Sequence, residues 1–292
     1  MPSETVVGML TSPVPSSASV DVLSSGPNTQ QETSVPEIAL RPYYNDDHGI
    51  VIYHGDCREV SIEAPAVTGP AITITDPPYG ETSLKWDAWP HGWVKNVALG
   101  SALWCFGSMR MFLEKGCEFR EAGYHFGQDI VWEKHNGSGF HADRFRRVHE
   151  HVVQWYRGPW NSLKRHVPTT PDAIARTIRR KERPSHFGQI GDGNYASVDG
   201  GPRLQRSVLR VRSCHGSAEH PTQKPLGVIQ PLLQYSVPPG GWVFDPFCGS
   251  GSVLVAAKLR GIPAVGIEIS ERYCEIAATR LDQGVLAFGE AQ

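Results

Sequence analysis

The stretch that decides the fold is Trp242-Val243-Phe244-Asp245-Pro246-Phe247-Cys248-Gly249-Ser250-Gly251. Its first three residues form a short apolar run of strand type, and the following segment to Arg260 has the pattern of a helix that ends at Gly261. Gly249 and Gly251 allow the backbone to turn sharply between the two elements and to approach a ligand closely. The stretch therefore predicts a strand–loop–helix unit with a ligand-binding turn.

Two carboxylates frame this turn. Glu268 ends the next predicted strand, where an acidic side chain can accept hydrogen bonds from both hydroxyls of a ribose. Asp245 begins the turn and would repel a pyrophosphate, so it favours a ligand with a cationic group such as an ammonium or a sulfonium. Neither the dinucleotide pattern GxGxxG nor the phosphate-loop pattern GxxxxGK[ST] is present. A purely structural turn is the alternative interpretation.

Other strand-length runs extend the pattern on both sides, each bounded by turn residues and separated by segments long enough for helices. They are Ile50–Tyr53, Ala71–Thr75, Ala102–Phe106, Asp129–Trp132, His151–Tyr156 and Ala264–Ile267. With the strand at 242–244 they make seven. This alternation predicts an α/β fold, a mostly parallel sheet with helices on both faces.

A second motif, Asp76-Pro77-Pro78-Tyr79, follows the predicted strand 71–75. The two prolines remove two N–H donors, so the Asp76 carboxylate and nearby carbonyls form a cluster of acceptors. An exocyclic amine, which has two hydrogens to donate, needs such a cluster, and Tyr79 offers a flat face on which a base can stack. The alternative is an ordinary proline turn. The loop Trp86–Trp89 beyond it is interpreted as closing over a base or touching DNA.

The composition limits the remaining possibilities. Residues 1–40 are rich in Ser, Thr, Pro and Val and predict a disordered tail before a domain at 41–292. No run of 18 apolar residues exists, so no membrane-spanning segment is expected. The six cysteines lack zinc-site spacing, and His149 and His151 lack a third ligand, so no metal is expected. Free thiols and the lack of a signal-like start indicate the cytoplasm.

The segment 158–219 interrupts the α/β alternation and is predicted to be an insertion with one helix at about 171–183. Residues 141–212 hold 15 basic and 6 acidic residues, a net charge of +9, whereas the rest of the chain has −11. A basic block within an acidic protein suggests a polyanionic partner. A solvated surface loop is the alternative.

Taken together, these motifs resemble the amino-group DNA methyltransferases, which methylate adenine N6 or cytosine N4 with S-adenosylmethionine. The tetrad 76–79 matches the catalytic motif in its adenine-type spelling, and 245–251 matches the cofactor loop. Because the tetrad precedes the loop, the chain resembles the circularly permuted beta subgroup. Four further blocks agree: His54–Asp56, Val131–Lys134, Arg147–Glu150 and His220–Pro225.

The resemblance implies a Rossmann-like, seven-stranded fold in which the blocks 131–134 and 147–150 would line the base pocket. The catalytic residues would be Asp76, Pro77, Pro78 and Tyr79, with Asp76 and the Pro77 carbonyl holding the target amine while Tyr79 stacks on a base flipped out of duplex DNA. The residues implied for S-adenosylmethionine are Asp245, Phe247, Gly249 and Gly251 at the amino acid end, Glu268 at the ribose, Asp56 near the adenine, and Thr222 and Lys224 at the methionine carboxylate. The insertion would recognise the target, with phosphate contacts from Arg179, Arg180, Lys181 and Arg183.

The sequence thus predicts a site-specific adenine-N6 DNA methyltransferase of restriction–modification type in a bacterial or phage-infected cytosol. Cytosine N4 or an RNA base is an alternative target; Asp76 favours adenine, because cytosine-N4 enzymes more often carry Ser there. A non-catalytic protein that binds the cofactor and DNA is a further alternative, which the intact tetrad disfavours. The recognition sequence, a cognate nuclease and the oligomeric state are left open.

Overall fold

A nine-stranded sheet organises residues 41–138, 142–179, 194–214 and 223–283, the parts of the chain that the computed structural model describes. Two two-stranded sheets accompany it. The strands are β1 (Tyr44–Asn45), β2 (Ile50–His54), β3 (Ala71–Thr75), β4 (Ala102–Gly107), β5 (His125–Ser138), β6 (Arg147–Tyr156), β7 (Thr169–Thr170), β8 (Arg176–Ile178), β9 (Tyr195–Ser197), β10 (Arg203–Leu204), β11 (Val208–Arg210), β12 (Trp242–Asp245) and β13 (Ala264–Glu268). The helices are α1 (Trp93–Asn96), α2 (Met109–Glu121), α3 (Leu226–Ser236), α4 (Ser252–Lys258) and α5 (Glu271–Asp282).

The order across the large sheet is β1-β2-β13-β12-β3-β4-β6-β5-β11. β6 is antiparallel to both of its neighbours and β1 is antiparallel to β2, whereas every other pairing is parallel. The predicted α/β fold with a mostly parallel sheet is therefore confirmed. The seven strands expected from the sequence lie between two short edge strands, β1 and β11.

The alternation of side chains along each strand divides the core into two layers. On one face Ile52, Ile74 and Trp104 pack with buried residues of α3, α4 and α5. On the other face Leu103 and Phe244 pack with buried residues of α1 and α2. Because both faces are covered, the central strands are buried at nearly every position, and most of their residues are apolar. In the described ranges, no helix is long and apolar enough to cross a membrane.

The insertion 158–219 differs from its prediction. The helix expected at about 171–183 is wrong over 171–179, where β8 instead pairs antiparallel with β9; residues 180–183 lie outside the described ranges. Thr177 and Ile178 are β-branched, and pairing with a distant segment overrides a weak helix propensity. β11 also joins the main sheet beside β5, so residues 208–210 of the insertion form an edge of the large sheet. The predicted tail 1–40 lies outside the described residues.

Candidate active site

The acidic groups of the site lie at the carboxyl ends of four neighbouring parallel strands. Across the sheet, β2 leads into Asp56, β13 ends at Glu268, β12 ends at Asp245 and β3 is followed by Asp76. The helix after β12 covers one face of the sheet, whereas the helix after β3 covers the other. The connections therefore diverge between Asp245 and Asp76, and such a divergence opens the crevice in which α/β proteins bind ligands.

The glycine turn is tied to the end of β13. The Gly249 amide donates to Oε2 of Glu268 at 2.9 Å, and the Ser270 amide donates to Oε1 at 2.8 Å. Gly251 has a φ of +76°, and a Cβ atom there would lie 2.9 Å from the Cβ of Ala277 in α5. Burial raises the pKa of Glu268. The predicted loop and the predicted strand-end carboxylate thus come together, held in register by backbone donors.

Asp245 is a buried carboxylate with only polar neutral donors. Its side chain is 3% exposed, and its Oδ1 accepts from the Thr75 hydroxyl at 2.7 Å and the Phe247 amide at 3.2 Å. Burial, together with the charges of Asp76 and Glu268, raises the pKa of Asp245 to about 7. Within the described ranges no basic residue forms an ion pair with it. A buried carboxylate of this kind beside a glycine turn fits a ligand that carries an ammonium or a sulfonium.

Two further predicted cofactor residues border this turn. The Phe247 ring packs edge-on against Trp93, with ring centroids 5.3 Å apart. The residue before Asp56, Gly55, donates its backbone amide to the carbonyl of Glu268. The Asp56 carboxylate accepts two hydrogen bonds from the Arg58 guanidinium, at 2.9 and 2.5 Å. These hydrogen bonds lower the pKa of Asp56. Thr222, the other predicted contact, lies outside the described residues.

The tetrad places two donors on one carboxylate. The Tyr79 hydroxyl donates to Oδ1 of Asp76 at 2.7 Å, and the Lys224 ammonium donates to Oδ2 at 2.5 Å. Pro77 is buried and Pro78 partly so. Burial raises the pKa of Asp76, and the positive charge of Lys224 opposes that rise. The sequence resemblance placed Lys224 at the methionine carboxylate, whereas its ammonium lies here against the catalytic motif.

A second carboxylate completes a row of alternating charges. Oε2 of Glu150 lies 3.3 Å from the Lys224 ammonium, and Oε1 of Glu150 accepts from Lys134. Glu150 lies on β6 and Lys134 on the paired strand β5, so the hairpin of these two strands borders the tetrad. The sequence placed both residues in blocks that resemble base-pocket motifs but assigned neither of them a role.

A buried aspartate that sequence reasoning missed shapes the loop after the tetrad. The Asp87 carboxylate accepts the backbone amides of Tyr79, Gly80, Glu81 and Thr82 at 2.9, 3.2, 3.0 and 2.7 Å. Burial would raise the pKa of Asp87, but these hydrogen bonds outweigh it and lower the pKa. No spacing rule distinguishes such an aspartate from a surface one, because its four partners come together only in the folded loop.

The tryptophans beside Asp87 have separate positions. Trp89 is buried and donates from its ring to Glu118 at 2.8 Å, which is a core role. Trp86 is 59% exposed. Of the two rings, only Trp86 is accessible to a base or to DNA, and its contact with either stays a prediction.

The β5–β6 hairpin carries an unusual exposed ring. Phe145 is fully exposed, and its chain neighbours Arg144 and Arg146 are exposed as well. The guanidinium of Arg147 lies 3.9 Å from Glu81 in the loop after the tetrad. The start of β6, next to residues 142–146 of the hairpin tip, thus adjoins the tetrad loop. Of the basic run in the insertion, Arg179 is exposed; Arg180, Lys181 and Arg183 lie outside the described ranges.

Two sequence features have structural roles here. Cys248 in the turn is buried, and burial raises the pKa of its thiol well above the usual range, which disfavours the thiolate that a nucleophile needs. The rings of His149 and His151 pack edge-on with centroids 5.3 Å apart. Among the residues that the structure describes, no group of three or more side chains is placed to hold a metal ion.

Comparison with known proteins places this geometry in context. The N6/N4 methyltransferase family model, described as DNA methylase, matches residues 71–279. The type II methyltransferase M.ScaI of Streptomyces caespitosus is 26% identical over 262 residues, which are 83% of this chain and 84% of the relative. The type II methyltransferase M2.LlaDCHI of Lactococcus lactis subsp. cremoris is 23% identical over 275 residues, 85% and 94% of the two chains.

Two solved structures share the fold. The M1.HpyAVI–SAM complex has a TM-score of 0.50 at 21% identity, covering 78% of this chain and 98% of that one. The cytosine-N4-specific PvuII DNA methyltransferase has a TM-score of 0.55 at 14% identity, covering 82% and 88%.

Proposed function

The chain belongs to the N6/N4 family of DNA methylases, and from that premise we propose that it methylates N6 of adenine in duplex DNA with S-adenosylmethionine. One observation carries the proposal. Asp76 and the turn framed by Asp245 and Glu268 lie side by side at the crevice between the ends of β3 and β12, where the following helices pass to opposite faces of the sheet. A target amine and a cationic cofactor can therefore meet there.

We assign the cofactor residues by their chemistry. The buried carboxylate of Asp245 suits the ammonium of the cofactor's amino acid end, and Gly249 and Gly251 allow close backbone approach. Each oxygen of Glu268 accepts one backbone amide and keeps a second lone pair, which would accept a hydrogen bond from a ribose hydroxyl. Phe247 and Asp56 border the same crevice.

The proposed mechanism is direct in-line transfer to the amine nitrogen: the N–C bond would form as the bond between sulfur and the methyl carbon breaks, and the methylated nitrogen would release one of its protons. The cofactor supplies a methyl group that is already activated by the positive charge on its sulfur. The chain's own residues position the reacting partners: Asp76 and the Pro77 carbonyl accept the hydrogens of the amine, and the negative charge of Asp76 stabilises the positive charge that develops on the nitrogen. Tyr79 stacks on the base, with its ring oriented by its hydrogen bond to Asp76.

We propose that the base leaves the duplex, since a pocket at strand ends cannot reach an amine inside the stack. The charged hairpin tip and the basic insertion 158–219 are the proposed DNA contacts. Arg144 and Arg146 would meet phosphates on either side of Phe145, and Arg179 with the adjoining basic residues would add contacts of the same kind.

Incubation with labelled S-adenosylmethionine and mixed-sequence duplex DNA, followed by nucleoside analysis, tests the function. We expect N6-methyladenine from the wild type and none from Asp76→Ala, whose cofactor affinity should stay within about tenfold, since Asp76 faces the amine. Substantial turnover by Asp76→Ala would overturn the catalytic assignment.

Cytosine N4 is the second candidate target, because the PvuII DNA methyltransferase, which is cytosine-N4-specific, shares this fold. The same nucleoside analysis separates the two products.

The strand that leads to the tetrad precedes the cofactor strand along the chain, and this order supports assignment to the permuted beta subgroup.

A further inference from the structure

We propose that Lys224 and Glu150 are positioning residues that hold the Asp76 carboxylate in the orientation and charge state that the target amine requires, an inference that rests on the function proposed above. The evidence is the continuous row of contacts from Tyr79 through Asp76, Lys224 and Glu150.

The first argument is orientational. The terminal torsion of an aspartate is broad, so an unrestrained carboxylate would sample many directions. In Asp76 each oxygen receives one donor, the Tyr79 hydroxyl at 2.7 Å and the Lys224 ammonium at 2.5 Å. A carboxylate oxygen has two lone pairs, so each oxygen keeps one acceptor position. The two donors thereby fix where the remaining acceptor positions point.

The second argument concerns charge. A protonated Asp76 would donate a hydrogen bond where the amine needs an acceptor, and burial favours that protonated form. The Lys224 ammonium, only 7% exposed, favours the ionised form. A buried ammonium is itself costly, and burial lowers its pKa; Asp76 and Glu150 outweigh this effect and keep the pKa of Lys224 raised. Glu150 is in turn held by Lys134 on its other oxygen.

Several groups face Asp76 from the surrounding elements: Tyr79 from its own loop, Cys105 from β4, Glu150 from β6, Asp245 from β12 and Lys224 from the segment before α3. Burial raises the pKa values of Tyr79 and Cys105 well above their usual range, so both stay neutral near pH 7. Glu150 and Asp245 act against ionisation of Asp76. Lys224 alone in this set favours ionisation through its charge.

The test compares pH profiles of kcat/KM for duplex DNA between pH 5 and 8, at saturating S-adenosylmethionine, with calorimetric titration of the cofactor. The variants are Lys224→Met, Lys224→Arg and Glu150→Gln. Matched controls remove the same charges at exposed positions outside the site, Lys95→Met and Glu114→Gln.

Lys224→Met should move the acidic limb to higher pH by about one to three units, because an opposite charge next to the carboxylate is lost. Glu150→Gln should move it to lower pH, because a like charge is lost. Lys224→Arg should return the limb towards the wild type, the controls should leave it in place, and cofactor affinity should change less than about threefold throughout. A merely structural role would not give opposite shifts.

An unmoved limb in Lys224→Met together with a loss of cofactor affinity beyond about tenfold would overturn the inference and place Lys224 at the methionine carboxylate. If Lys224→Met does not fold, Glu150→Gln and Lys224→Arg decide the question. The inference is overturned if the acidic limb of Glu150→Gln coincides with that of the wild type. It is also overturned if the acidic limb of Lys224→Arg moves by the one to three units expected when the positive charge is lost. A wild type that yields no methylated base refutes the proposed function instead.

Discussion

Replacement of the buried carboxylate Asp245 with the isosteric amide, Asp245→Asn, should remove a pH dependence from cofactor binding. The pKa of Asp245 is raised by burial to about 7, so the charge that would hold the cofactor ammonium is half formed at pH 7 and mostly absent at pH 5.5. If only the ionised form binds well, wild-type affinity should fall about fifteenfold between those two values.

The substitution changes both the level and the slope of cofactor affinity. At pH 7.5 the loss of a charge-assisted contact should cost about 1.5–3 kcal/mol, or roughly 10- to 150-fold in affinity. Below pH 7 the affinity of Asp245→Asn should be nearly flat, because the amide does not titrate. The range stays at or below pH 7.5, since an α-amino group loses its own proton at about pH 8.

Folding stability supplies an independent readout without cofactor. The folded pKa of Asp245 lies above the usual value of 3.8, so its contribution to stability is full below about pH 4 and is lost as the pH rises through about 7. Between pH 5.5 and 7 that loss is at most about 2 kcal/mol. As the pH rises, the wild type should therefore lose free energy of unfolding relative to Asp245→Asn, whose amide does not titrate.

Isothermal titration with S-adenosylmethionine and urea unfolding at pH 5.5, 6.5 and 7.5 measure both effects. Asp56→Asn is the matched control, because the pKa of Asp56, lowered further from 3.8 by the hydrogen bond from Arg58, lies below this range and the wild-type slope should persist. An Asp245→Asn variant that kept the wild-type pH slope of cofactor affinity would refute the assignment of the ammonium to Asp245.

Three further substitutions test other parts of the site. Glu268→Ala should weaken cofactor binding by about 1–3 kcal/mol in calorimetry, because the ribose acceptor is lost and the Gly249 amide loses its partner; unchanged affinity would exclude the ribose role. Asp87→Ala should lower turnover and expose residues 79–87 to proteolysis while cofactor affinity stays within about threefold, since four backbone donors lose their acceptor. Phe145→Ala should slow methylation of a paired target base at least tenfold but spare a mismatched one, as expected if the ring fills the gap that a flipped base leaves. Leu113→Ala, which removes another exposed apolar side chain, should affect neither substrate, and equal loss on both by Phe145→Ala would contradict the wedge role.

The sheet was largely predictable because its signals are local. Each central strand is a short run of mostly apolar or β-branched residues closed by a turn residue, and burial on both faces favours such runs. The helix expected at about 171–183 is wrong over 171–179 for the opposite reason. Residues 176–178 pair with Tyr195–Ser197, and a contact between two separate segments leaves no periodic mark on either of them.

The amino-acid sequence by itself determined the α/β class, the glycine turn with Asp245 and Glu268, and the acceptor motif at Asp76, because each is written in consecutive residues whose chemistry is local. Only the tertiary structure decided that the Lys224 ammonium lies between the carboxylates of Asp76 and Glu150, and that Asp87 binds four amides of the neighbouring loop. These contacts join β3, β6 and the segment before α3, and their energies depend on burial, which exists only once the strands are placed side by side.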